Sequence, residues 1–313
     1  MDMSDDFAQH LIVPFAHCSD EGWLQAMSSI ELKNLNKLLR GMKGIDTDAG
    51  RADSLSPPHE RALAKALGLT TSADGLLVWA ALEANASTGQ GWAVITPCHW
   101  AMGREHATLT DPATLDMKEA DSRALLAAMQ PYFATESITL HYRQPTRWLA
   151  EGAVFASLPT ASLDRVLGRN VDRWLPSSKQ IKLLQNEMQM LLYTHPINDD
   201  RAAKGQRSIN SFWVSGSGAL VAPATANPHV SISRTLTTAA FANDWTGYAQ
   251  AWAKLDEADI AQLLAQQKSG KTVRLSLCGD SHAMTFETTQ HGLLTKIKNA
   301  LSPQPPISVL KQL

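Results

Sequence analysis

The chain has 313 residues, 44% hydrophobic and 19% charged, with 28 Lys and Arg against 30 Asp and Glu. That length and apolar content suit one large domain or two modest ones and exclude disorder as the main state. The balanced charge, without a Lys/Arg run, argues against nucleic-acid binding, and no apolar stretch reaches the roughly 18–20 residues of a membrane helix.

The N-terminal Met1 to Asp6 stretch is acidic where a signal peptide carries positive charge, and Leu11 to Ala16 is too short for its apolar region. A cytoplasmic location is expected. His10 to Phe15 predicts a buried first strand ending at Pro14. Leu32, Leu35, Leu38, Leu39 and Met42 recur at helical spacing between Ile30 and Met42. Gly44 to Pro58, rich in Gly, Asp and Ser, reads as a loop, with Pro58 opening a helix over His59 to Leu67. Trp92 to Thr96 predicts a second strand broken by Pro97, Lys118 to Met129 a helix, and Ser137 to Tyr142 an alternating strand.

Ser177 to Tyr193 carries the strongest helical pattern. Ile181, Leu184, Met188 and Leu191 form its apolar face, Gln185 and Gln189 face away, and Pro196 stops it. Ile209 to Val214 is a strand followed by Ser215-Gly-Ser-Gly218, Leu255 to Gln267 a helix, and Thr272 to Cys278 a strand. Pro303, Pro305 and Pro306 predict an extended tail. Strands alternating with helices point to an α/β fold with a mainly parallel sheet, with boundaries near residues 90 and 220.

Cys18, Cys98 and Cys278 are far apart and lack CxxC spacing, which excludes a disulfide framework and a cysteine-rich zinc site. The densest polar cluster is His195-Pro-Ile-Asn-Asp-Asp-Arg201 with Asn210 and Trp213 close behind. Arg201 offers a planar fork for phosphate or carboxylate, and His195 can donate to the same anion or shuttle a proton. A purely structural reading stands beside it, because His suits a helix C-terminus and Asn198 suits a cap. Arg143 and Arg147 flank Pro145 at a strand end, where an anion or plain solvent could meet them.

Ser54 and Ser56 precede a helix start with His59 nearby, an arrangement that serves either a nucleophile or an N-cap. Asp280 and His282, after the last apolar strand, could ligate a divalent metal given further partners. Cys98 and His99 after Trp92–Thr96 read as a packed core pair. Ser215-Gly-Ser-Gly218 lacks the spacing of a phosphate loop. The nine tryptophans suggest semi-buried cleft walls.

Tyr193-Thr-His-Pro-Ile-Asn-Asp-Asp-Arg-Ala-Ala-Lys-Gly205, with Asn210, Trp213 and Gly216-Ser-Gly218, resembles the archaeal-type cofactor-independent phosphoglycerate mutases. Leu163 to Arg169 with Trp174-Leu-Pro176 resembles that family's preceding segment, and Trp92–Thr96 with Asp111–Leu126 its insert domain. Leu158 to Asp164 and Leu184 to His195 resemble bacterial regulatory proteins of the RpfE type. The second resemblance spans most of the chain, the first about residues 90 to 220.

The resemblance implies an alkaline-phosphatase-like α/β core, residues 1–90 and 220–313, with an inserted α+β domain over 91–219. It implies a two-metal phosphoryl transfer through a metal-activated Ser. His195, Asn198 and Arg201 match the family motif, so with Asn210, Arg143 and Arg147 they form the expected ligand-binding set. The core departs from the pattern. Pro14-Phe15-Ala16 stands where a metal-binding Asp is expected, Ser54 to His59 has altered spacing, and no Asp-x-x-x-His pair lies between Leu220 and Lys271.

Asp280-Ser-His282 approximates the family's Asp-His. The expectation is a mutase-like protein with a degenerate metal site and no cofactor. It would bind a small phosphorylated or carboxylated metabolite, or a regulatory protein partner. The alternative is an active phosphomutase or phosphatase using Mn or Zn with rearranged ligands drawn from Ser54, Ser56, His59, Asp280 and His282.

Overall fold

The computed structural model describes residues 7–69, 73–224, 227–289 and 306–313. The acidic N-terminal stretch, Pro303 and Pro305 lie outside the described residues, and Pro306 opens a helical turn, Pro306–Leu310, where an extended tail was expected. The chain divides into two compact units. The first comprises Met1–Asp53, Pro57–Leu69 and Ala226–Leu313, the second Ser54–Ser56 and Thr70–Thr225. No helix among the described residues is long and apolar enough to cross a membrane.

In chain order the strands are β1 (Phe7–Val13), β2 (Met42–Ala49), β3 (Gly91–Cys98), β4 (Trp100–Met102), β5 (Ala107–Leu109), β6 (Thr139–Gln144), β7 (Arg147–Glu151), β8 (Ser211–Ala219), β9 (Val230–Ile232), β10 (Thr272–Cys278) and β11 (His282–Thr288). The helices are α1 (Glu21–Ser28), α2 (Lys33–Arg40), α3 (Pro58–Ala66), α4 (Trp79–Glu83), α5 (Glu119–Thr135), α6 (Leu163–Val166), α7 (Lys179–Tyr193), α8 (Pro196–Ala203), α9 (Thr237–Ala242), α10 (Trp245–Leu255) and α11 (Ala261–Lys268).

The first unit is built on a five-stranded sheet ordered β2-β11-β10-β1-β9. β1 runs parallel to β10 and β9, while β10, β11 and β2 pair antiparallel. The sheet is therefore mixed, not mainly parallel. Only a few residues join β10 to β11, and a connection that short permits antiparallel pairing alone. β1 is buried on both faces, which is why its sequence is continuously apolar. Leu11 and Val13 join a core with Trp23, Leu35, Trp252 and Leu275. Ile12, Cys278 and Ala283 pack on Ala62 and Leu63 of α3.

The Gly44–Pro58 loop expectation is corrected by β2, an edge strand paired among the described residues with β11 alone. Its side chains are mostly exposed, so the apolar alternation that marks a half-buried strand is missing. Charge on an edge also blocks pairing with other chains. Asp48 and Asp46 are held by Arg61 and Lys65 of α3, each at 2.6 Å. The helix expected over Leu255–Gln267 is α10 continued through a π turn, Asp256–Ile260, into α11. That turn aims the buried Asp256 carboxylate at the backbone N–H groups of Asn34 and Leu35, 3.0 and 2.7 Å away. It thereby caps α2, whose own N-cap, Leu32, has no side-chain acceptor.

The second unit carries an antiparallel sheet ordered β6-β7-β3-β8 and the hairpin β4–β5. β3 continues through Pro97 to Cys98 instead of breaking. β7 pairs only as far as Ile95, so the missing N–H of Pro97 deprives no neighbour on that side. Phe212 and Val214 of β8 face α5 and α7, packing with Leu125, Phe133, Leu184 and Met188. Trp213 faces the other way, against Trp100, Val166 and Trp174.

Ser215-Gly-Ser-Gly218, expected to follow the strand, lies inside β8. A Cβ on Gly218 would meet Val78 Cγ1 at 2.8 Å, and Gly216 has φ of 57°, so both glycines let the segment bearing α4 approach the strand. Pro196 ends no helix. α7 stops at Tyr193, and Pro196 is the first residue of α8, where a missing N–H costs nothing.

Candidate functional site

The His195 segment is assembled by the α7–α8 junction. His195 is the N-cap of α8, its Nδ1 accepting the Ile197 N–H at 3.3 Å, so the ring proton sits on Nε2. Asn198 is buried and fully bonded. Its Nδ2 donates to the carbonyls of Leu192 and Ile209, both at 2.7 Å, and its Oδ1 accepts the Ile209 N–H at 2.8 Å. That one amide ties the end of α7 to the approach of β8.

Arg201 is 2% exposed. It donates from Nε to the Arg207 carbonyl at 2.7 Å and from the guanidinium to the Leu115 carbonyl, while Nη1 has no partner among the described residues. Its charge also helps hold the Asp116 carboxyl below the usual range, after the larger effect of Lys118. Asn210 pairs like a strand residue with Trp100, accepting its N–H at 2.7 Å and donating to its carbonyl at 2.9 Å.

Beside this junction lies a cleft of about 870 Å³ wholly within the second unit. Asn198, Asn210 and Ser208 line it from the junction. Asn186, Gln189 and Tyr193 line it from α7, and Arg104, Glu105 and His106 from the β4–β5 loop. Asp172 and Asp199 add two more carboxylates. Arg201 and His195 are not among its lining residues. Trp100 is the one tryptophan in the cleft lining. It is buried, as are Trp23, Trp92, Trp148, Trp174, Trp213 and Trp252, so the indoles serve mainly the cores and not the semi-buried cleft walls expected.

The remaining candidates of this unit lie elsewhere. Arg147 forms an ion pair with Glu83 of α4, Nε at 2.8 Å and Nη2 at 2.7 Å from Oε2. Arg143 is solvent-exposed on β6. Ser56 is buried. Its Oγ accepts the Gly75 N–H at 2.9 Å, and its own N–H donates to the Asp74 carboxylate at 2.9 Å. Ser54, half-buried, precedes Leu55, whose N–H donates to the same carboxylate at 2.8 Å. The expected Cys98–His99 pair is a buried thiol, pushed up by burial, beside a His whose Nδ1 lies 2.9 Å from the Ser208 carbonyl.

In the first unit the carboxyl ends of the parallel neighbours β1 and β10 lie side by side, the position where such sheets present ligand sites. His17, Asp280 and His282 are there. The Asp280 carboxylate accepts the Ser19 N–H at 2.7 Å, and His282 Nδ1 is 2.7 Å from Ser281 Oγ. Burial lowers the His17 pKa, and the Asp280 charge opposes that shift. His59 is buried in α3, its ring 5.4 Å from that of Phe15.

A two-metal centre needs several carboxylate and imidazole donors converging. Pro14, Phe15 and Ala16 offer no side-chain donor. Among the described residues, no three His, Cys, Asp or Glu ligand atoms within the first unit lie within 4.8 Å of one another.

Sequence reasoning passed over Arg104, His106 and Asn186, and it placed Gln185 and Gln189 together as outward residues. Gln185 is buried, with Nε2 3.4 Å from the Phe212 carbonyl, while Gln189 lines the cleft. The Gly-Arg-Glu-His turn between two short Trp- and Leu-bearing strands was the available signal for the cleft's far wall.

No family model matches the chain, and no curated protein matches it. Among solved structures it is similar to a cofactor-independent phosphoglycerate mutase from Thermoplasma acidophilum, at 11% identity over 97% of this chain and 98% of that one, with a TM-score of 0.35. It is also similar to the PH0037 protein from Pyrococcus horikoshii, at 11% identity over 93% and 92% of the two chains, with a TM-score of 0.44.

Proposed function

We propose that this protein is a phosphoglycerate-mutase-like binding protein, built on an alkaline-phosphatase-like core whose metal centre has degenerated, and that it works as a regulator of the RpfE type. Its ligand is a small phosphorylated or carboxylated metabolite held in the second unit. The cleft of about 870 Å³ carries this reading, because its volume falls within the range of small-molecule sites.

Arg104 supplies a planar fork for one anionic group, His106 a second donor, and the Asn186 and Gln189 amides further hydrogen bonds. Glu105, Asp172 and Asp199 accept from hydroxyls, so the ligand is a hydroxylated acid or its monophosphate. Asn198 and Asn210 shape the floor through their backbone bonds. In the core, the Asp280 carboxylate accepts the Ser19 N–H and His282 Nδ1 is bonded to Ser281 Oγ, which suits a strand end that has lost its ions.

Thermal shift followed by calorimetry, with hydroxy acids and their phosphates as ligands, tests the reading. A binder of the native state raises its apparent stability, and Arg104→Ala abolishes that shift. Robust manganese-dependent interconversion of phosphoglycerates, or binding that Arg104→Ala leaves intact, overturns it.

A further inference from the structure

Helix α7 has an inner and an outer apolar face. Ile181, Leu184, Met188 and Leu192 fill the core of the second unit. On the outside, Leu183, Met190 and Tyr193 are 50%, 74% and 84% exposed, with the exposed Asn186 among them. The spacing 183, 186, 190, 193 is that of heptad positions a, d, a, d over three turns. The core of the second unit leaves Leu183 and Met190 of this seam exposed, since it is closed by the opposite face.

We propose that the seam docks a second copy of this chain, α7 against α7, as a parallel pair about a two-fold axis. Charge selects this occupant. Lys182 stands at position g and Glu187 at position e of the following heptad, five residues on. In a parallel pair, g of one helix faces that following e of its partner. One two-fold operation therefore forms two Lys182–Glu187 contacts at once, as an isologous interface requires. Antiparallel packing sets g against g and e against e and gives neither charge its opposite. Among the described residues neither Lys182 nor Glu187 is ion-paired within its own chain.

Ten residues of helix span about 15 Å, so this contact falls short of the roughly 800 Å² per partner of a stable interface. The dimer is accordingly concentration-dependent. Asn186 and Tyr193 also line the cleft, which seats the second copy beside its mouth. The inference does not rest on the proposed ligand, with which the second copy competes for Asn186.

Analytical ultracentrifugation of the full chain from about 1 µM to about 1 mM tests it, with circular dichroism confirming that each variant is folded. The wild type passes from monomer to dimer with concentration. K182E and E187K each set two like charges face to face and weaken self-association about tenfold. An equimolar mixture of the two variants restores every attraction and recovers dimer, as does the double variant K182E/E187K. M190K abolishes association. A wild type that stays monomeric throughout, or charge variants that associate like the wild type, overturns the proposal. So does a mixture no stronger than its components.

Discussion

At the floor of the cleft, Asn198 commits its whole amide to Leu192 and Ile209. On α7, Asn186 and Gln189 face the same space with no hydrogen-bond partner among the described residues. The strand ends of the first unit resemble the floor and not the wall, since the Asp280 carboxylate already accepts the Ser19 N–H and His282 Nδ1 is already bonded to Ser281 Oγ. A polar side chain that satisfies the backbone holds a shape, and one left open to solvent can exchange water for a ligand. Of these three places, the wall of the second unit is the one whose polar side chains stand open.

The largest effect that bears on this contrast is Arg201→Ala. It removes a buried guanidinium and leaves the carbonyls of Leu115 and Arg207 unpaired in a tight interior. Urea unfolding followed by tryptophan fluorescence should show a loss of about 3–5 kcal/mol. Asn198→Ala should follow at about 2–3 kcal/mol, from three backbone groups stripped of their partner. Wild-type stability in either variant, with ligand binding lost, would turn the floor into a ligand-contacting surface and dissolve the distinction.

The first unit has its own acid-sensitive point. His10 Nε2 lies 2.8 Å from Ser276 Oγ, which is itself 2.7 Å from Thr285 Oγ1. Burial, aided by the Arg274 charge, brings the His10 pKa down to about 4. Below pH 6.5 the unfolded chain takes up a proton that the folded chain refuses until about pH 4. Stability is therefore full above that window and falls as pH drops through it, by about 3 kcal/mol in all. Stability measured from pH 7 to 4 checks this, and His10→Gln should flatten the slope. An unchanged slope in the variant would move the acid sensitivity to another group.

The apolar skeleton was legible because periodicity survives in sequence. β1, α3, α7 and β10 all stand close to where their patterns put them. β2 was illegible because an edge strand with one neighbour needs no apolar alternation. Sheet sense was misread because alternating strands and helices do not encode the short return from β10 to β11. Around the cleft, the sequence singled out the α7–α8 junction, of whose residues Asn198 and Asn210 line the cleft while His195 and Arg201 do not. A buried Asn or Arg and a ligand-facing one are the same letters, and only burial with bonded partners separates Asn198 from Asn186. Leu191, expected on the inner face of α7, is only partly buried, and Leu192 takes the core position.

The smallest expected effect sharpens the comparison at the strand ends. Asp280 and His17 share the carboxyl edge of β1 and β10, and the carboxylate partly offsets the lowering that burial imposes on the imidazole. Asp280→Asn keeps the shape and an acceptor for the Ser19 N–H, so the stability change should stay under about 1 kcal/mol. What should move is His17. Without the neighbouring charge only burial remains to act on it, and an NMR titration should find its pKa below the wild-type value. Metabolite affinity in the second unit should not change. A His17 that titrates as before would mean that the two groups do not interact, leaving Asp280 solely as a cap for the Ser19 amide. A change in metabolite affinity would instead tie the strand ends to the binding chemistry and end their separation from the cleft.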